Sequence, residues 1–503
     1  MPDSTLGGVS VLDCDGDGLL DVYFANGAHF PDLVKSDESF YNRLYRNSGG
    51  RSFEDITADA GVAGFGYSMG VATGDYDNDG RPDIFVAGVD VNTLYRNVGG
   101  CRFEDVTARA GLPATEAEGA KWAVAAAWTD YDNDGLLDLF VVNYLDWNWE
   151  NNRVCGDPGR RLSCSPAHYR GLPNALYRNL GNGTFSDVSD RTGIGDHIGK
   201  GMSAAVADYD GDGFSDIFVT NDSVRNFLFR NIGGERFEEV GVQAGMALTS
   251  DGIPVSSMGL DVRDLNGDEW PDLTITALAN ETFPLFVNRS GNVFTDSTYE
   301  SKIGLESLTL SGWSVGAFDF DNDGDRDIFT ANSHVSENVG LYRTVKYRLP
   351  NAVFQLLADG TYRNSAPDAG PAMQAEAAHR GAAFGDLDND GRIDAVVSAI
   401  GTPAVVLFNE SEAGNWLILD LEGSVSNRDG LGARVRMVTP PGSVQHNLAT
   451  TAVGYASSSD RRVHFGLGPE GRAAEIEVRW PSGAVQVLRD VDAGQVLEVA
   501  EPR

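Results

Sequence analysis

A chain of 503 residues, 42% of them hydrophobic, is too long for one simple core and apolar enough to bury more than one. Its 74 acidic residues against 38 Lys and Arg leave a formal charge of -36, which excludes nucleic-acid binding through a basic surface. No apolar run reaches the length of a membrane span, and the acids recur in short clusters along the chain rather than in a disordered tail.

In chain order, Met1-Pro2-Asp3-Ser4 leads directly into a strand-like segment, with no secretory leader visible. The first acidic cluster follows, DCDGDGLLD from Asp13. It recurs as DYDNDGRPD from Asp75, DYDNDGLLD from Asp130, DYDGDGFSD from Asp208, DLNGDEWPD from Asp264, DFDNDGDRD from Asp319 and DLDNDGRID from Asp386, at intervals of 55 to 78 residues. In six of the seven nonapeptides carboxylates stand at positions 1, 3, 5 and 9, with glycine at position 6. Like charges this close repel strongly, and a hard divalent cation with oxygen ligands removes that cost. Calcium, up to seven ions in a structural role, is therefore the expected cofactor. The expected ligands are Asp13, Asp15, Asp17 and Asp21 in the first loop, and Asp75, Asp77, Asp79 and Asp83 in the second. Asp130, Asp132, Asp134 and Asp138 follow in the third, then Asp208, Asp210, Asp212 and Asp216 in the fourth. The last three loops offer Asp264, Asn266, Asp268 and Asp272; Asp319, Asp321, Asp323 and Asp327; and Asp386, Asp388, Asp390 and Asp394. A backbone carbonyl at position 7 completes each set. The fifth loop has lost one charge at Asn266 and its glycine to Glu269, so the weakest binding is expected there.

These loops are not EF-hands. An EF-hand needs a bidentate Glu at position 12 and flanking helices. Position 12 here is Phe24, Val86, Val141, Val219, Ile275, Thr330 and Val397, and the flanks are short apolar runs bounded by turn residues, as in Ile84–Val86. A second element follows each loop: Asn42–Asn47, Asn92–Asn97, Asn174–Asn179 and Asn226–Asn231, with weaker versions at Leu285–Asn288, Gly340–Arg343 and Val406–Asn409. A third begins at Phe53, Phe103, Phe185, Phe237, Phe294 and Tyr362. Four short strands per repeat, seven times, predict an all-β seven-bladed β-propeller over residues 1–411, followed by a small C-terminal β domain over 412–503. Small residues five before each loop (Gly8, Gly70, Ala125, Ser203, Gly259, Ser314, Gly381) mark the innermost strand, crowded at the axis. Seven loops but only six Phe/Tyr-led strands suggest that the N-terminus is truncated and that a leader was lost with it.

The tail reads as strands at Leu417–Leu421, Ala433–Val438, Arg462–Phe465, Ala474–Arg479 and Val485–Leu488, with no catalytic spacing. Its stretches Asn415-Trp416-Leu417, Ser426–Arg434, His464–Gly468 and Val478–Gly483 resemble the ASPIC/UnbV domain, and the repeats resemble the FG-GAP or VCBS repeats of integrin alpha-subunit propellers. Together they resemble the cartilage acidic protein family. That resemblance implies an extracellular, periplasmic or cell-surface, calcium-binding protein.

Other features carry less. Cys155 and Cys164 are either a disulfide or two buried thiols; Cys14 lies inside the first loop and Cys101 at a strand start. The insertion Tyr144–Gly171 mixes aromatics with Arg153, Arg160, Arg161 and Arg170, and reads either as a lid on the propeller or as a surface for an anionic or glycan ligand. Gly66–Gly70 and Gly312–Gly316 match G-x-S-x-G but lack the strand-to-helix turn of a nucleophile elbow. The seven histidines show no metal-type pairing. Ser68, Trp122, Lys200, Ser257, His379 and Arg380 fall near one mouth of the channel. Non-enzymatic recognition of a protein or glycan ligand is the leading expectation. The alternative is an enzyme at the mouth, acting on polysaccharides or in secondary-metabolite tailoring, with His379 and Lys200 as its candidate acid and base.

Overall fold

The computed structural model describes residues 2–440 and 442–503. The repeat pattern becomes seven antiparallel sheets in succession, six of four strands and a last of three. In the second, Ser68–Gly74 pairs with Asp83–Gly88, then Asn92–Asn97, then Phe103–Asp105. Each acidic loop joins the first strand of a sheet to the second. The first strands Val9–Leu12, Ser68–Gly74, Ala123–Thr129, Gly201–Ala207, Leu260–Arg263, Gly312–Phe318 and His379–Gly385 neighbour one another in that order, and the last lies beside the first. The sheets therefore close into a ring. Apolar side chains fill each seam between sheets: Ile84, Val71 and Tyr23 in one, Phe218, Leu228 and Leu273 in another.

The third strand of the sixth sheet lies where the sequence pattern did not put it. Gly340–Arg343 falls at a 3-10 turn, Val339–Leu341, and the strand is Ala352–Leu356, which pairs with Asp327–Asn332. The Leu-Tyr-Arg residues belong to an insertion that leaves the sheet and crosses the channel mouth. The backbone amide of Leu356 takes the place of the motif's asparagine in donating to Asp327.

The tail forms two further sheets. Asn415–Glu422 lies between Val463–Gly468 and, in parallel, Gln495–Ala500. Arg434–Thr439 lies between Ser443–Leu448 and Arg472–Arg479, which also pairs with Val485–Asp492. Leu417, Val435, Phe465, Ile476 and Trp480 share their core. Ser443–Leu448 and Gln495–Ala500 escaped the sequence reading because polar residues interrupt them.

The tail is not a separate appendage. Residues 449–459 are all buried, and they run through the centre of the ring. Ser458 pairs with Val9 and Val11, Ala456 accepts from the Val71 amide, and Gly454 exchanges hydrogen bonds with Leu260. The Ser203 hydroxyl donates to the Gly454 carbonyl, Ser314 Oγ accepts from the Tyr455 amide, and Ser459 Oγ accepts from the Phe384 amide. This plug corrects the reason for the small residues on the innermost strands. They make room for another chain segment, not for each other alone. A Cβ on Gly8 would lie 2.6 Å from the Ala456 carbonyl oxygen, and one on Gly381 would lie 2.5 Å from Ser457 Oγ.

Candidate metal centres and the channel mouth

Each acidic loop folds around its own first aspartate. In the second loop Asp75 accepts from the amides of Asp79 (2.9 Å) and Gly80 (2.7 Å), and the other loops repeat this. Such a tight wrap needs left-handed backbone at positions 4 and 6. Position 6 is glycine in six loops, with φ from 84° to 101°, while Glu269 is forced to 81° in the fifth. The position 9 carboxylate is a buried brace. Asp83 accepts from the Tyr76 amide within its loop and from the Asn97 amide on the third strand; Asp21, Asp138, Asp216, Asp272 and Asp394 do the same.

Two contributions were not assigned from the sequence. The asparagine ending the L-Y-R-N strand bonds across the seam: Asn97 to the Cys14 carbonyl, Asn179 to Tyr76, Asn231 to Tyr131, Asn288 to Tyr209, and Asn47 to Leu387 where the ring closes. The asparagine at position 4 links neighbouring loops, as Asn78 donates to the Gly135 carbonyl (2.9 Å) and Asn389 to that of Gly18 (2.9 Å). Both recur at fixed offsets, which is the signal that reveals them.

The ligand sets converge. One oxygen each from Asp13, Asp15 and Asp17 lies within 4.8 Å of the others, as do oxygens of Asp75, Asp77 and Asp83, of Asp130, Asp132 and Asp138, and of Asp208, Asp210 and Asp216. Position 3 points to a missing partner. One oxygen of Asp77, Asp132 and Asp388 meets an arginine, at 2.5 Å from Arg96, 2.7 Å from Arg178 and 2.9 Å from Arg51. The other oxygen, Oδ1, is buried in all three without a hydrogen-bond partner. An orphaned buried carboxylate oxygen is costly, and a cation among the convergent oxygens satisfies it. Burial and then neighbouring carboxylates push Asp75 up to about 7, and burial likewise raises Asp130 to about 7 and Asp272 to about 8. These residues fit a bound divalent ion. In the fifth loop Asn266 Oδ1 is instead occupied by the Asp268 amide.

The tail sheets cover this loop-bearing end of the ring. Asp429 accepts from the Asp75 amide (2.8 Å), Arg434 donates to Asp208 (3.1 Å), and His464 Nε2 lies 3.1 Å from the Gly391 carbonyl.

The opposite mouth differs from the expectation. Ser68, Trp122, Ser257, His379 and Arg380 are buried. The Arg380 guanidinium stacks 4.1 Å over Trp313 and donates to the Ser4 carbonyl, His379 faces the Leu349 carbonyl, and the Lys200 ammonium donates to the Pro166 carbonyl. His379 and Lys200 therefore do not converge as an acid–base pair. Above them the insertion is a roof, as the lid reading had it. Tyr144, Trp147 and Tyr169 pack in one buried cluster with Trp122, and a Cys155–Cys164 disulfide closes the hairpin 155–162. The second disulfide, Cys14–Cys101, staples the first sheet's acidic loop to the second sheet. Position 2 of that loop carries the bridge, where the other loops place an apolar or aromatic side chain in the seam.

Two family models match this chain. A family model described as FG-GAP-like repeat matches residues 13–86, 75–141, 164–219, 208–275 and 264–330, and one described as ASPIC and UnbV matches 423–503. Cartilage acidic protein 1 of Homo sapiens is 25% identical over 521 residues, covering 99% of this chain and 72% of that protein. Among solved structures, an Agrocybe aegerita lectin specific for non-reducing terminal N-acetylglucosamine aligns with TM-score 0.42 at 18% identity, over 71% of this chain and 79% of its own. The exotype rhamnogalacturonan lyase YesX aligns with TM-score 0.36 at 11% identity, over 98% of this chain and 91% of its own. The chain belongs to the FG-GAP-like repeat family and ends in an ASPIC and UnbV domain.

Proposed function

We propose that this is a calcium-loaded propeller of the extracellular space, periplasm or cell surface that recognises a protein or glycan ligand without chemical turnover. The observation that carries the calcium reading is the partnerless buried Oδ1 of Asp77, Asp132 and Asp388, the first two inside clusters of convergent carboxylate oxygens. Side chains at positions 1, 3, 5 and 9 and the carbonyl at position 7 would hold each ion. The ion would offset two of the carboxylate charges in each loop and tie the first strand of each sheet to the second. Two disulfides support an oxidising compartment, and no helix among the described residues is long and apolar enough to cross a membrane. The tail contacts the loop-bearing end at Asp75, Asp208 and Gly391, and recognition is assigned to the opposite, roofed mouth. A glycan and protein array probed in calcium tests this: retention of a defined subset, lost in EGTA, is expected. Uniform background in both buffers contradicts it.

A second reading, an enzyme at the same mouth, is favoured by one observation. Asp222 and Glu281 line the mouth cavity, and burial raises both carboxyls, as in acid–base pairs. Cleavage products in the mass spectrum of a glycan that binds would establish it.

A further inference from the structure

Beneath the roof lies a cavity of about 310 Å³, at the lower end of the roughly 300–1,000 Å³ range of small-molecule sites. It is built rather than accidental. The disulfide-closed hairpin crosses from the third sheet to the sixth and is fastened there: Tyr342 Oη donates to Asp157 (3.0 Å), Asn338 to the Arg161 carbonyl (2.9 Å), and the Ser163 amide to Ser336 Oγ (2.9 Å).

Two carboxylates stand in the wall. Asp222 is held by Tyr144 Oη (2.7 Å) and Ser223 Oγ (2.9 Å), and Glu281 by the Ser256 amide (2.8 Å) and Ser256 Oγ (3.3 Å). These bonds fix the two carboxyls in place; burial raises both, and a cation seated beside them would favour the charged form. Neither has an ion-pair partner among the described residues, and the Lys200 ammonium, the cation that acts on Asp222, bonds to a roof carbonyl. Buried carboxylates ordinarily have a cationic partner. The Leu278 amide also donates to Glu281 Oε2 (3.4 Å), so the lone pairs left for a cation are on Glu281 Oε1 and on the Asp222 oxygens. The rest of the lining combines hydroxyls of Ser163, Ser223, Ser256 and Ser336, the apolar Met258, Leu278 and Val335, and, in the same wall, His334 and Arg343. Such a lining suits a ring with hydroxyls on its edge and C–H groups on its face.

We infer that the cavity binds a sugar unit bearing a free, protonated amino group, the ammonium seated at Asp222 and Glu281 and the ring hydroxyls on the serines. The inference rests on the reading that the mouth recognises a ligand, and it narrows that ligand to an aminohexose.

Isothermal titration of the calcium-loaded protein at pH 7 with D-glucosamine, N-acetyl-D-glucosamine, D-glucose and putrescine tests it. The expected result is binding of glucosamine at least 10-fold tighter than each of the other three, and a loss of at least 10-fold with Glu281→Gln or Asp222→Asn. The wild-type comparison needs no variant, so a misfolded one leaves the test intact. Glucosamine binding no tighter than glucose or N-acetylglucosamine removes the role of the ammonium. Putrescine binding as tightly as glucosamine removes the role of the hydroxyls. Either outcome overturns the inference, as does no binding by glucosamine. Array hits that glucosamine does not displace would overturn it while leaving the broader recognition reading in place.

Discussion

Tyr455, at the tip of the plug, is the most direct probe of how ring and tail are joined. Its side chain is fully buried, its ring lies 4.9 Å from that of Trp313, and its hydroxyl donates to the Thr5 carbonyl. Tyr455→Ala empties a large aromatic site in a well-packed channel, a loss of about 3–5 kcal/mol. At an unfolding entropy of about 2.1 cal/mol/K per residue, a chain of this length carries about 1 kcal/mol/K, so the melting temperature should fall by roughly 3–5 °C. Tyr455→Phe removes only the hydroxyl bond and should cost about 1 kcal/mol, or roughly 1 °C. Tyr299, 59% exposed, supplies the control: Tyr299→Ala should leave melting unchanged. Scanning calorimetry in calcium reads all three. Because the plug bonds to innermost strands around the ring, the wild type should melt in one transition. Melting of Tyr455→Ala within 1 °C of wild type would refute the plug as a stabilising element.

Three further outcomes follow from local geometry. Glu269→Gly relieves the left-handed strain at 81° and should raise the melting temperature by about 1 °C, whereas no gain would mean the loop bears no strain there. Replacing Cys14 and Cys101 by serine opens a closure of 87 residues and should cost about 4–5 kcal/mol. The same change at Cys155 and Cys164, nine apart, should cost about 2–3 kcal/mol, and the reverse order in calorimetry would contradict the loop-length argument. His464 is buried against the Gly391 carbonyl, and burial pushes it down to about 4. The unfolded chain takes up that proton near 6.5, so stability present at pH 7 is lost as pH falls from about 6.5 toward 4, by about 2 kcal/mol at pH 5. Urea unfolding at pH 7 and pH 5 should show His464→Gln spared that loss; equal losses in both proteins would contradict it.

The ring was legible because its units repeat. Seven acidic loops with carboxylates at constant positions specify seven first-to-second strand turns, and the Phe- or Tyr-led motif locates the outer strand in six sheets. What escaped was whatever occurs once. The plug, Ala449-Thr-Thr-Ala-Val-Gly-Tyr455-Ala-Ser-Ser-Ser459, has neither strand alternation nor helical periodicity, since its partners are supplied by strands 75 or more residues away. The Cys14–Cys101 bridge joins residues far apart in sequence, and pairing cannot be deduced from spacing alone. At the mouth, His379 and Arg380 stood out as titratable residues near a strand start, yet they face neighbouring carbonyls and Trp313. Asp222 and Glu281, which do line the cavity, lie in loops after second strands, where no motif marks them.

Calcium content and its effect on melting test the central claim most directly. Protein dialysed against calcium and measured by native mass spectrometry should carry several ions, up to seven. EGTA should then lower the melting temperature by on the order of 10 °C, since each site contributes about 2.7 kcal/mol at a free ion concentration 100 times its Kd. A protein that binds no calcium, and melts identically with and without EGTA, would contradict the account.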